Sequence, residues 1–305
     1  MSSYGSSIPE ESVTAWNRMI VKYDSMQRDT QLSRTIPVVR NIGAEVDKDT
    51  VQYLEGSGGN ANIQAKITAK GAVPDITSTK VKDKTYNMYQ FSLGFMLNGR
   101  DLNTKPELRQ RNIEWCTRNI RRLEDNMWMN GDTTLNLGGV VTAARANTNG
   151  KVVATGASGS DVNNTGSWDG LDATGLIDIH ADILEAVYRI EDEFNGKLYL
   201  VGRKADLKPI RKLDDMRISY ADEILDLFQA NAVSDFLRYS LYTPSGYVYV
   251  VAQDMDSNEN VISEDLLVDG DYPKQPGNNY YVELRQWSNP NVFHSNNGCV
   301  EINTA

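Results

Sequence analysis

Between Ile113 and Met127 the apolar positions fall at steps of three, four, three and four: Ile113, Cys116, Ile120, Leu123 and Met127. That spacing predicts an amphipathic helix with one narrow buried seam. Its start is marked by Thr104 and Glu107, a capping box, with Pro106 in the first turn. Its stop is Asn130-Gly131, two residue types that tolerate the left-handed conformation closing a helix. The predicted helix spans 104–130, roughly 39 Å at 1.5 Å per residue. A second pattern, Ile179, Ile183, Val187, Ile190 and Phe194, predicts a helix ending at Asn195-Gly196. A third, Trp16, Met19, Ile20 and Tyr23, predicts a helix opening near Glu10 and finished before Pro37.

Other stretches carry the period of strands. KLYLVG (197–202) is a short apolar run of the kind that fills a buried strand. SLYTPSGYVYVVAQDM (240–255) reads as a strand pair around Pro244-Ser245-Gly246, and NNYYVELRQW (278–287) and NGCVEINTA (297–305) as closing strands. RKADLKPIRKL (203–213) and SYADEILDLFQAN (219–231) have helical character, the second opening with Ser219 and Asp222 as caps. Residues 147–170 are rich in Gly, Ser, Asn and Thr and predict a surface insertion.

Residues 44–90 follow a different rule. Short strand-like pieces (TVQYL, ANIQAKITA, KTYNMYQFSL) flank the Gly56-Ser57-Gly58-Gly59 stretch, which predicts the tip of an extended hairpin. Glu55 to Lys80 holds few large apolar residues and cannot bury a core. A two-stranded ribbon is marginal by itself, so this arm is expected to lie on another copy of the chain, with Leu54, Gly56, Gly58, Gly59 and Ile63 in the contact. An enzyme lid is the other reading of such a segment.

Composition narrows the classes. The 305 residues are 40% hydrophobic and 24% charged, enough for a core in a water-soluble chain, and no run approaches the length of a membrane span. The first residues have neither a basic nor an apolar stretch of a secretory signal, so synthesis in a cytoplasm is expected. Two cysteines, Cys116 and Cys299, do not make a disulfide framework. A net charge of -10 argues against tight general nucleic-acid binding, which needs clustered Lys and Arg.

Candidate chemistry is sparse. His180 and His294 lie far apart in the chain. Asp178 and Asp182 sit one helical turn apart around His180, a pattern that a solvated acidic helix face explains better than a metal site. Asp254, Asp256, Asn258 and Asn260 occupy positions 1, 3, 5 and 7 of a calcium loop. The sixth position is Glu259 instead of Gly, and Asp265 replaces the bidentate Glu, so a plain turn is the expected structure. Zinc, phosphate-loop and nucleophile-elbow motifs are lacking, and no cofactor is expected. Along the long helix, Glu107–Arg111, Glu114–Arg118 and Arg121–Asp125 are spaced for ion pairs. Arg109 and Arg122 have no partner at that spacing and are candidates for contacts between subunits.

Three patches then fall into a familiar order. MYQFSLGFMLNGRDLNTKPELRQ (Met88 to Gln110), EDNMWMNGDTTLNLGGV (Glu124 to Val140), and GYVYVVAQDM followed by EDLLVDGDY (Glu264 to Tyr272) resemble tailed-phage major capsid proteins of the Hong Kong 97-like fold, which encapsulin shells share. The resemblance implies an α+β fold: an N-terminal arm and helix at 1–43, an extended hairpin loop at 44–90, a peripheral domain at 91–176 with the spine helix, an apical domain at 177–260, and return strands of the peripheral domain at 261–305. It implies a non-enzymatic subunit that assembles with itself as pentamers and hexamers into an icosahedral shell. The shell would enclose double-stranded DNA without gripping it, assemble in a host cytoplasm and involve no membrane. The short N-terminal segment implies a separate scaffolding protein or none, and no cleavage on maturation. Lys66 and Lys70 in the arm do not establish a cross-link. A cargo-enclosing encapsulin shell is the rival within the fold, and a soluble module using the arm as a lid the rival outside it.

Overall fold

The computed structural model describes residues 31–43, 48–56, 79–98, 107–147, 151–152, 168, 173–191, 196–208, 210, 224–255, 257–275 and 279–304. The chain is mixed α+β, built on two sheets bridged by one long helix. The predicted helix at 10–23, the Gly58–Gly59 stretch, Ile63, Lys66, Lys70, Asp256 and the Thr104 and Ser219 caps lie outside the described residues. Among those described, no helix is long and apolar enough to cross a membrane.

The first sheet has the order β1-β11-β12-β4, with β1 at Val38–Asn41, β4 at Tyr89–Asn98, β11 at Asn258–Gln275 and β12 at Asn279–Phe293. β1 runs parallel to β11; the other pairs are antiparallel. Along β12, Val282, Leu284, Gln286 and Ser288 are buried while Tyr281, Glu283, Arg285 and Trp287 are half-buried. That alternation is the two-residue period of a sheet with one packed face.

The second sheet has the order β7-β13-β10-β8-β9: Lys151–Val152, Cys299–Asn303, Tyr247–Gln253, Lys197–Gly202 and Leu237–Tyr239. Both of its faces are covered. Leu198, Leu200, Val248, Val250, Val300 and Ile302 pack with Ile179, Ile183, Val187 and Ile190 of the helix Ala173–Glu191. The intervening Tyr199, Val201, Tyr249, Val251 and Cys299 pack on the opposite side with Val140, Val141, Ala143 and Ala144 of the short helix Val140–Ala146. Burial on both faces is why β10 reads as an almost unbroken apolar run.

Two sequence-based expectations change here. The stretch 240–255 is not a strand pair: β9 and β10 do not pair, because β8 lies between them, parallel to β9 and antiparallel to β10. The C-terminal strand β13 is not a return strand of the first sheet, since it pairs with β10 in the second. Its Cys299, Val300 and Ile302 fill positions on both packed faces, which only the second sheet offers.

The long helix runs Glu107–Asn130, 24 residues and about 36 Å. Cys116, Ile120 and Met127 pack on the first sheet with Phe91, Val282 and Leu284. The next two residues, Trp128 and Met129, both buried, join the core of the second sheet. The helix therefore spans both cores, and its buried surface widens toward its C-terminal end. Leu123, expected in the seam, is 49% exposed. At that level Glu124 and Asp125 face inward, and Leu123 is turned to the open side. The helix ends at Gly131 with φ +73, where an added Cβ would lie 2.2 Å from the Leu137 carbonyl oxygen. Gly131–Asp132 and Leu137–Gly138 (β5 and β6) then form a small hairpin.

Candidate functional site

Outside both sheets stands a two-stranded ribbon, β2 (Lys48–Gly56) and β3 (Thr79–Asn87). Its register runs from Lys48 opposite Asn87 to Gly56 opposite Thr79. An antiparallel strand pair is thus present where the sequence predicts a hairpin, and its last described rung is at Gly56. Gly56 is a strand residue, paired opposite Thr79. Leu54 is paired opposite Val81. At about 3.3 Å per residue each strand spans about 30 Å.

The ribbon is attached at its root in two ways. Tyr86 and Met88 join Val261 and Val292 in a small apolar cluster, with Ile42 and Trp287 against it. Around that cluster runs a chain of polar contacts. Arg40 of β1 donates from Nε to Glu259 Oε2 at 3.0 Å, and its two terminal nitrogens donate to the two carboxylate oxygens of Asp49. Asp49, first, and Glu259 raise the Arg40 pKa against the cost of its partial burial. His294 Nε2 lies 3.3 Å from the same Glu259 oxygen, and its Nδ1 lies 3.5 Å from the Tyr86 hydroxyl. The Tyr86 hydroxyl and Lys84 Nζ donate to the Phe293 carbonyl, at 3.3 and 3.0 Å, and Asn289 donates to the Asn87 carbonyl at 2.9 Å.

A second polar cluster ties the N-terminal part of the described chain to the long helix. Glu124, fully buried, accepts from Arg34 at 3.1 Å and Arg121 at 3.2 Å. Exposed Asp265 accepts from the same two arginines at 3.0 and 2.9 Å, closing a ring of alternating charge. Asn260 and Ser288 also donate to Glu124. Beside it, Asp125 accepts from the Ser33 backbone and hydroxyl at 2.8 and 2.7 Å. Burial pushes the Asp125 carboxyl up, against the lowering effect of those bonds. The expected Arg121–Asp125 pair is therefore replaced by Arg121–Glu124, whereas Glu107–Arg111 forms at 3.3 Å. Neither the Arg40 chain of contacts nor this ring was visible in sequence; for the ring the sole signal was a Glu-Asp pair set into an apolar seam.

The other candidates are structural in their surroundings. Asn258 and Asn260 belong to β11 and are buried; Asn260 donates to the Ser33 carbonyl at 2.7 Å, and Asn258 to the Ala252 carbonyl at 2.9 Å. A strand from 258 onward leaves no room for a twelve-residue calcium loop over 254–265. His180 and Asp182 are buried, not solvated, and Asp182 accepts from the Trp168 indole at 3.0 Å. Cys116 and Cys299 are buried, and burial pushes the Cys299 thiol up to about 12. Among the described residues no group of three or more His, Cys, Asp or Glu is arranged for a metal. Arg109 and Arg122 each engage a partner within the chain, so spacing along the helix does not leave them unpaired.

Three solved shells share this fold. The virus-like particle from Pyrococcus furiosus matches with a TM-score of 0.58 at 12% identity, over 94% of this chain and 97% of that chain. The capsid of Myoviridae phage XM1 gives 0.61 at 13% identity, over 90% and 92%. The capsid of the native GTA particle gives 0.61 at 14% identity, over 92% and 91%. No protein-family profile matches the chain, and no curated protein matches it in sequence.

Proposed function

We propose that this chain is the major capsid subunit of a tailed phage, a Hong Kong 97-type building block that assembles with itself into an icosahedral shell around double-stranded DNA. The observation that carries the reading is the projecting ribbon. It is a paired arm outside both cores, on a body whose fold recurs in solved capsids along almost its whole length. A ribbon of this length gains little from its own chain, and a neighbouring copy supplies the missing surface. In this reading the first sheet with the long helix is the peripheral domain and the second sheet the apical domain. Residues 1–43 are the N-terminal arm, and Leu54, Gly56, Gly58, Gly59, Ile63, Arg109 and Arg122 meet neighbouring copies within pentamers and hexamers. The subunit is structural, not catalytic; it works in the virion, with or without a separate scaffolding protein.

A shell around protein cargo is the second reading, favoured by the likeness to the Pyrococcus furiosus virus-like particle. The purified protein, with a scaffolding protein supplied where one is encoded nearby, should sediment as large closed particles visible in negative stain. A monomer peak at every concentration and salt would overturn both readings. Particles isolated from their natural source then separate the two: packaged DNA supports the virion, an enclosed enzyme the compartment.

A further inference from the structure

The ribbon is held at its root by a closed circuit of contacts. Asp49 and Tyr86 are cross-strand partners on β2 and β3. Asp49 is gripped by Arg40, Tyr86 lies against His294, and Arg40 and His294 converge on one oxygen of Glu259. Beside the bonds of Lys84, Tyr86 and Asn87 to β12, each strand of the ribbon thus has a link to the body through this circuit, and both of those links end on a single carboxylate that is itself buried on β11. The next rung is closed by the Thr50 and Thr85 hydroxyls, 3.2 Å apart.

The chemistry of this circuit is directional. The small apolar cluster beneath the root is adhesive but indifferent to a tilt of a few degrees. A guanidinium is planar and rigid, and with Asp49 on its terminal nitrogens and Glu259 on Nε it holds the two carboxylates near one plane. The geometry amplifies that control. From Asp49 to Gly56 the ribbon runs seven residues, about 23 Å, so a tilt of about 10° at the root moves the far rung by about 4 Å. A shift of that size carries an arm off the contacts it makes on a neighbour.

We propose that Arg40, with Glu259 and His294, forms a positioning unit that sets the direction in which the ribbon leaves the body, and through it the curvature with which copies pack. This rests on the shell reading above for its second half only. The first half concerns the single subunit.

The test uses the full chain carrying Arg40→Met and, separately, Arg40→Lys, which keeps the charge and loses the fork. Hydrogen exchange on unassembled subunits should show amides of 49–56 and 79–86 exchanging about tenfold faster in both variants, with β10 and β13 unchanged. Particles from the same variants should spread over a wider range of diameters in electron micrographs. If Arg40→Met also speeds exchange in β10 and β13, it has damaged the fold and Arg40→Lys decides. Unchanged exchange in the ribbon overturns the proposal, as does faster exchange with an unaltered range of diameters. If the unmodified protein forms no particles, the shell reading fails, while the exchange comparison still decides whether Arg40 holds the ribbon.

Discussion

The five-stranded sheet, built from strands of two to seven residues, and the β2–β3 ribbon, with nine residues in each strand, have opposite means of support. In the sheet, successive residues of β10 face two apolar layers, and five residues, Val248 through Ala252, are fully buried. Position there is over-determined by packing, and losing one polar contact changes little. The ribbon has pairing between its strands and, at its root, a small cluster and a charged circuit. Its place relative to the body therefore depends on a few directional contacts. A region locked by close packing keeps one shape, whereas a region held at one end can be aimed. The second arrangement suits a part that has to fit a neighbour.

The strongest way to break this contrast is to shorten the ribbon. Deleting Leu54 to Ile63 should leave a folded subunit with a nearly unchanged melting temperature and reduce particle yield to near zero. Circular dichroism beside a sedimentation profile checks both halves. An unfolded subunit would make the ribbon part of the core, and undiminished assembly would make it dispensable.

The reverse experiment strikes the body. Trp128, fully buried where the long helix meets the second sheet, should cost about 3–5 kcal/mol when replaced by Ala. Denaturant unfolding of the unassembled subunit measures it. A loss below 1 kcal/mol would mean that the helix end is not anchored in that core.

The smallest effect sharpens the contrast at the junction of the N-terminal segment and the long helix. Burial raises the Asp125 pKa, so folding favours its protonated form. The stability it contributes is therefore present at low pH and is lost as the pH rises through its folded-state pKa. Asp125→Asn keeps an acceptor for Ser33 and removes the titration. The melting temperature of this variant relative to the unmodified protein should thus be higher by a few degrees at neutral pH than at pH 4. A difference that does not vary with pH would show that Asp125 titrates alike in the folded and unfolded chain.

Local patterns were legible wherever one periodicity met one environment. The long helix and its Asn130-Gly131 stop, the helix through Ile179–Ile190, β8 and the existence of a hairpin before Met88 all appear in the structure. What misled was local adjacency. Leu123 satisfied the seam spacing, yet Glu124 and Asp125 take the inward positions at that level to meet Arg34, Arg121 and Ser33. Spacing along one helix cannot show a partner 90 residues away. The same limit hid the partners of Arg40, Asp49 on β2 and Glu259 on β11, the second of them shared with His294 just after β12.

The sequence by itself determined the elements, because helix and strand periods, caps and Gly stops are set by neighbours a few residues apart. It also determined that Glu55 to Lys80 lack the apolar area for a core, which is a matter of composition. Tertiary structure decided the rest: that β13 completes the second sheet, that one helix serves two cores, that Arg34 and Arg121 close a charged ring, and that Arg40 joins the ribbon to Glu259. Those outcomes depend on which distant segments share a surface. Strand pairing order and buried ion partners are properties of that surface, and no local pattern encodes them.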